Sequence, residues 1–136
     1  VCAAVHGDRL LLQPAERAPL PAIDVRSYSR PKDFVPARAA DRITIDAAAV
    51  VGNLCIRRVA GGDRFAPFGM PKGTKLVSDY LTDRHRSVLE KQAAAVVCDE
   101  RGIVWLVGET VDRRVAVHRS TQTILDIRLL PPDREA

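Results

Sequence analysis

A chain of 136 residues fits one domain, or one domain with part of a neighbour. Hydrophobic residues make up 46% of it, enough for a packed core and too many for a compositionally disordered chain, while aromatics at 4% leave Leu, Val, Ile and Ala to fill that core. The net charge is a modest +4; no apolar run approaches the ~20 residues of a membrane-spanning helix, and no secretory signal opens the chain.

The chain begins Val1-Cys2-Ala3-Ala4-Val5 without a start methionine, which points to a fragment of a longer protein. A His6-Gly7-Asp8 turn precedes Arg9–Gln13, a strand candidate, and Pro14, Pro19, Pro21, Pro31 and Pro36 then interrupt every potential helix. Ile23–Tyr28 and Ile43–Asp46 alternate with period two, as strands do. Asp46–Val51 suits a short helical turn capped by Asp46 and closed at Gly52-Asn53. Leu54–Val59 is a further strand candidate, leading into a loop rich in glycine and proline that runs from Ala60 to Gly73.

From Lys75 the spacing changes. Leu76, Val77, Tyr80 and Leu81 form one apolar stripe on a short helix that Thr74 is placed to cap, and a second helical turn is expected around Val88–Lys91. Ala95–Asp99 and Ile103–Val107 flank the turn Glu100-Arg101-Gly102, a hairpin pattern. Arg113–His118 and Thr123–Leu129 supply two more predicted strands, and residues 131–136 read as a frayed tail. Strands dominate, so the expected class is α+β, a β-sandwich-like domain with one or two short helices.

Cys2, Cys55 and Cys98 are isolated and flanked by apolar residues, and His6, His85 and His118 are equally scattered. Zinc needs closely spaced ligand pairs, so no metal site is expected; buried free thiols in a reducing cytoplasm are. The charge is unevenly spread. Between Arg57 and Lys91 there are eight basic residues and four acidic ones, while the remainder of the chain carries thirteen of each. The whole surplus therefore lies in one central segment, as a surface facing a polyanion requires.

The segments Gly62-Asp63-Arg64-Phe65, Pro67-Phe68-Gly69-Met70, Lys75–Arg84 and Ile103-Val104-Trp105-Leu106-Val107-Gly108 occur in that order. Together they strongly resemble the C-terminal domain of tRNA(Ile)-lysidine synthases, over Leu54 to Val117. Many members of that family have two adjacent lysines where Thr74-Lys75 stands, and an arginine and a proline near Ala93-Ala94-Ala95. A contact made elsewhere by the extra lysine therefore has no counterpart at Thr74. The resemblance assigns residues 54–130 to that domain and residues 1–53 to a β-rich connection before it.

The resemblance implies a fold related to a domain of the phenylalanyl-tRNA synthetase β subunit. It implies a cytoplasmic parent ligase that joins lysine to the wobble cytidine of an isoleucine tRNA. ATP and magnesium belong to an N-terminal domain of that parent, and this chain itself needs no cofactor. Its partners are then the tRNA, on the acceptor-stem side, and the catalytic domain of the same chain, with a homodimer of the parent left open. The run Lys72-Gly73-Thr74 is not a phosphate-cradling loop, because such a loop needs glycine, lysine and Ser/Thr in that order.

Arg57, Arg58, Arg64, Lys72 and Lys75 are the residues expected to meet tRNA phosphates. Arginine forks suit phosphate oxygens, and a lysine loop before a helix adds to the dipole there. Asp79 and Asp83, four apart on one helical face, are expected to pair with arginines rather than hold a metal, and Asp63 to brace the loop. No catalytic constellation of nucleophile and base is present. Phe65, Phe68, Met70 and Tyr80 are expected to pack the loop onto the domain, with base stacking as the alternative, and Trp105 to be core. The competing function is a protein-interaction or self-association domain of the parent.

Overall fold

Proline spacing and β-branched alternation keep the first third of the chain extended. The computed structural model describes residues 20–130; the predicted strand Arg9–Gln13, Cys2, His6 and the tail 131–136 lie outside them. Strands β1 (Ala22–Ser29), β2 (Arg38–Ala39) and β3 (Arg42–Asp46) come from this first third, followed by a 3-10 turn, Ala47–Ala49. The Asp46 side chain caps that turn, accepting from Ala48 N at 3.1 Å. Next come β4 (Cys55–Arg58), β5 (Arg64–Phe65) and β6 (Lys75–Leu76). Helices α1 (Val77–Asp83) and α2 (Val88–Ala93) precede β7 (Ala95–Cys98), β8 (Ile103–Leu106), β9 (Thr110–Val111) and β10 (Thr123–Leu130).

The strands form antiparallel sheets in the orders β1-β10-β3-β2 and β4-β7-β8-β9, with β5 and β6 as a separate ribbon. Ile43, Ile45 and Ile127 of the first sheet meet Val97, Val104, Trp105 and Val111 of the second in one apolar core. Phe65, Val77 and Leu81 cover Val96, Cys98, Ile103 and Leu106 in another. The second sheet is thus covered on both faces, which is why Ala95–Cys98 and Ile103–Leu106 are continuously apolar and fully buried rather than alternating. Gly102 closes the β7–β8 turn at φ +148°, a conformation open to glycine at little cost.

The α+β class holds, and both sheets contribute to one core. An inner strand of the first sheet, β10, pairs with β1 and β3 and so ties residues 22–46 to the far end of the chain. The sequence-based division at residue 53 therefore falls between strands that share this core.

Three local expectations change. Arg113–His118 is not a strand: Arg113–Val115 forms a 3-10 turn, because the Asp112 side chain accepts from Arg114 N at 2.9 Å and closes the backbone locally. Thr74 does not cap α1. Leu76 holds the cap position without a side-chain bond, and the first helical amide, Val77 N, donates to Asp63 O at 2.9 Å. The free-thiol reading holds at Cys98, whose thiol burial pushes up in pKa, but not at Cys55, which is half-buried and disulfide-bonded.

Asp99, which follows β7, is the most densely bonded acid among the described residues. Its fully buried carboxylate accepts from Arg114 Nη1 and Nη2 at 3.1 and 2.7 Å, and from the amides of Val51, Arg101 and Gly102 at 2.9, 2.8 and 3.1 Å. Burial alone raises its pKa; the Arg114 fork and the Val51 and Arg101 amides outweigh that and bring it to about 2. The folded value lies below the ~3.9 of an unfolded aspartate, so the resulting stabilisation is complete above about pH 5 and fades as pH falls towards 2. It amounts to about 2–3 kcal/mol. Urea unfolding at pH 6 and pH 2.5 should show the Asp99→Asn variant losing about 1–2 kcal/mol less on acidification than the parent protein. Equal acid sensitivity of the two would contradict the assignment.

Candidate nucleic-acid interface

Residues 64–75 form a loop with no acidic side chain, running from β5 to β6. Pro67, Pro71, Gly69 and Gly73 deny it regular structure, so tertiary bonds set its shape. Ala66 N donates to Asp112 Oδ2 at 2.9 Å, Phe68 N to Val111 O at 2.9 Å and Arg113 N to Ala66 O at 2.6 Å. The Arg113 side chain then holds the far half of the loop, donating to Met70 O at 2.6 Å and Gly73 O at 3.2 Å. Gly73 adopts φ +82°, the left-handed turn that a glycine makes without strain.

The predicted phosphate ligands divide into two groups. Arg57 forks onto Asp63, with bonds of 2.9 and 3.0 Å, and donates to Arg58 O; Asp63 also accepts from Ala60 N at 2.7 Å. Burial raises the Asp63 pKa, but the Arg57 and Ala60 donors carry it below the ordinary value. Arg58 donates to Ala93 O at 2.7 Å, at the end of α2. These two arginines brace the β4 side of the domain.

Arg64, Lys72 and Lys75 belong to the loop itself. Arg64 is exposed and donates to Thr74 Oγ1 at 3.0 Å and Thr74 O at 3.3 Å. Lys75 is half-buried and pairs with Asp83. Lys72 is exposed and has no hydrogen bond or ion pair within the described residues. Asp79, expected to brace arginines, has no ion pair among the described residues; it is exposed in the first turn of α1, where its charge suits the helix dipole. The neighbouring arginines Arg84 and Arg86 instead converge on Glu109 at 3.2 and 2.7 Å.

The aromatic residues divide as well. Phe65 is buried and meets half-buried Tyr80 edge-on, with ring centroids 5.4 Å apart, and Trp105 is core. Phe68 is the exception: it stays 39% exposed, with the Arg38 guanidinium carbon 4.3 Å from its ring centre. Five cations therefore lie on or against this loop, Arg38, Arg64, Lys72, Lys75 and Arg113, and only Lys75 has an ion pair among the described residues; nearby Asp63, Asp83 and Glu109 are ion-paired, and buried Asp112 is held by the Ala66 and Arg114 amides. No group of three or more His, Cys, Asp or Glu side chains suited to a metal occurs among the described residues, and no helix there is long and apolar enough to cross a membrane.

No protein-family model matches the chain. Among individual proteins, the tRNA(Ile)-lysidine synthase of Bacteroides thetaiotaomicron is 35% identical over 98 residues, which is 72% of this chain and 23% of the relative. The Parabacteroides distasonis protein of the same name is 42% identical over 77 residues, 57% of this chain and 17% of the relative. A crystal structure of the TILS C-terminal domain superposes with a TM-score of 0.63, covering 85% of this chain and 89% of that one; at 22% identity it speaks to the fold alone. The chain is a relative of the tRNA(Ile)-lysidine synthase C-terminal domain. It spans about a quarter or less of the length of the lysidine synthases it matches.

Sequence motifs lead to the family loop but not to Arg38 and Arg113. Arg38 lies on β2, in the other sheet, and no local pattern ties it to Phe68. Arg113 opens a stretch of strand-like composition, and only the Asp112 cap turns it towards Met70. The Arg113→Ala variant should lose about 1–2 kcal/mol, from two bonds to loop carbonyls, and its Met70 amide should exchange with solvent faster. Asp112→Ala should cost more, because it strands the Ala66 amide in a buried position. Unchanged amide exchange in Arg113→Ala would show that the loop holds its shape without this clamp.

Proposed function

We propose that this chain is the tRNA-contacting C-terminal part of a tRNA(Ile)-lysidine synthase. On this reading the parent is an ATP-dependent ligase that joins lysine to the wobble cytidine of an isoleucine tRNA. The chain positions the tRNA on its acceptor-stem side, and ATP and magnesium chemistry belongs to the N-terminal domain of the parent. The kinship with a domain of the phenylalanyl-tRNA synthetase β subunit is part of the same reading.

The observation that carries it is the acid-free loop 64–75 with five cations on or against it, in a relative of that enzyme family. Structured RNA is recognised mainly by shape, phosphates and 2′-hydroxyls, because the deep A-form major groove is closed to side chains. A clamped loop presenting Lys72 meets a phosphate without first being ordered, which lowers the entropic cost of binding. Lys75 has to exchange Asp83 for a phosphate, so Lys72 carries more of the contact.

A second reading, self-association of the parent, draws on α2. None of its residues is buried, and Val88 and Leu89 stand 68% and 75% exposed at its start.

The Lys72→Ala/Lys75→Ala double variant of the full-length enzyme separates the two. It should bind different tRNAs more weakly by similar factors, because phosphates carry no sequence information. The logarithmic salt dependence should be shallower by just under ~1 unit for each lysine–phosphate pair removed. Lysidine formation should fall at limiting tRNA and largely recover at saturation. Unchanged affinity and salt dependence would remove the loop from the interface, and concentration-dependent light scattering that Leu89→Lys abolishes would then favour self-association.

A further inference from the structure

Arg38 and Phe68 form a pair that neither folding nor phosphate neutralisation accounts for. The loop bonds fix Phe68 from behind: its own amide is held by Val111 O at 2.9 Å, and Met70 N closes the turn on Pro67 O at 3.0 Å. The ring nevertheless stays 39% exposed. Arg38 reaches it from β2, the edge strand of the first sheet, and lays its guanidinium carbon 4.3 Å from the ring centre. Beyond that stack the Arg38 side chain makes no hydrogen bond or ion pair with the described residues. The contrast with Arg30 is informative. Arg30 also lies against a ring, Phe34, at 5.5 Å, but its Nη1 donates to His118 O at 2.9 Å and Thr121 O at 3.0 Å, so it serves the fold. The donors of Arg38 face solvent with no such duty.

A guanidinium seated over an aromatic ring on one side, on a residue that is itself exposed, has its other side available. That face has the area, planarity and charge to stack on a nucleobase. The hollow beside Phe68, bordered by Thr44, Thr110 and Val117, is only about 30 Å³, room for a water and not for a base. A base must therefore stack on the outside of Arg38 rather than insert beneath the ring. Glu109 borders the same hollow, but its carboxylate is paired with Arg84 and Arg86 and does not oppose an incoming polyanion. Bases inside a helix already have both faces covered, so only an unpaired nucleotide or one at a helix end offers a free face.

We propose that Arg38, stacked on Phe68, is a platform for one unstacked base of the bound RNA, positioning it beside the phosphate contact of Lys72. This rests on the RNA-binding reading above and deepens it from phosphate neutralisation to recognition of a nucleotide by its face.

The test uses the full-length enzyme and a transcript of the isoleucine tRNA with cytidine at the wobble position, comparing Arg38→Lys, Arg38→Ala, Phe68→Leu and Lys72→Ala. Lysine keeps the charge and loses the plane. Arg38→Lys and Phe68→Leu should each weaken binding about tenfold with the salt dependence unchanged. Lys72→Ala should make the salt dependence shallower instead. A Phe68→Leu variant that melts early is set aside and Arg38→Lys decides, since it changes only an exposed tip. Binding by Arg38→Lys equal to the parent, with a defect only in Arg38→Ala, would make Arg38 a point charge and overturn the platform. Effects at Lys72 alone would overturn it while leaving the RNA-binding reading intact, and no effect at any of the three positions would overturn both. Repeating Arg38→Lys on a transcript trimmed of its single-stranded 3′ end locates the base. A defect that vanishes on trimming places it at the terminus, and one that persists places it elsewhere in the RNA fold; either supports the platform.

Discussion

The shape of the basic loop depends on three consecutive residues that lie far from it in sequence. Asp112 takes the Ala66 amide, Arg113 takes the Met70 and Gly73 carbonyls, and Arg114 forks onto buried Asp99. Each anchors a different segment, and the 3-10 turn they form is pinned by Val115, which is fully buried in the core between the sheets. The loop has no strand ladder or helix to hold it from Ala66 to Thr74. Its order therefore comes from outside, through backbone bonds to Val111 and Arg113 and through charged side chains whose hydrogen bonds are roughly twice as strong as neutral ones. The arrangement converts a proline- and glycine-rich stretch into a rigid support for side chains.

Among the described residues, many of the arginines are internal braces. Arg57 holds Asp63, Arg42 holds Asp126, Arg84 and Arg86 share Glu109, and Arg114 holds Asp99. A count of charges along the chain treats these as surface, yet each is engaged by a carboxylate before any ligand arrives, with Arg84 and Arg86 sharing one. What remains for a polyanion is smaller and better localised than the charge surplus of residues 57–91 suggests: Lys72, the outer side of Arg64, and Arg38 from another sheet. Lysine and arginine differ here in the expected way. The arginines serve planar, multidentate bracing, and the unpaired lysine is a mobile point charge.

Local patterns made much of the fold readable. The alternation of Ile23–Tyr28 and Ile43–Asp46 became β1 and β3, the turn at Glu100-Arg101-Gly102 became the β7–β8 hairpin, and the Asp46 cap formed as its chemistry requires. The two misread elements share one cause, non-local or capping hydrogen bonds that override local propensity. Thr74 has cap chemistry, but Arg64 takes its hydroxyl and Asp63 O takes the first helical amide. Arg113–His118 has strand composition, but the Asp112 carboxylate closes it into a turn. The insertion of β10 between β1 and β3, and the meeting of Arg38 with Phe68, are non-local and leave no trace in residue spacing. Of the candidate site, the loop and its lysines were legible because they sit in one contiguous motif. The residues that shape the loop and flank it were not, because they arrive from β2 and from the turn after β9.

The central claim is that loop 64–75 faces RNA. Ultraviolet cross-linking of the full-length enzyme to an isoleucine tRNA transcript, with the joined peptides identified by mass spectrometry, addresses it directly. Cross-links are expected within residues 64–75, at Phe68 and Lys72 above all, and none at Val88 or Leu89 on α2. Cross-links confined to α2 or to the first sheet away from Arg38, with the loop peptide free, would contradict it.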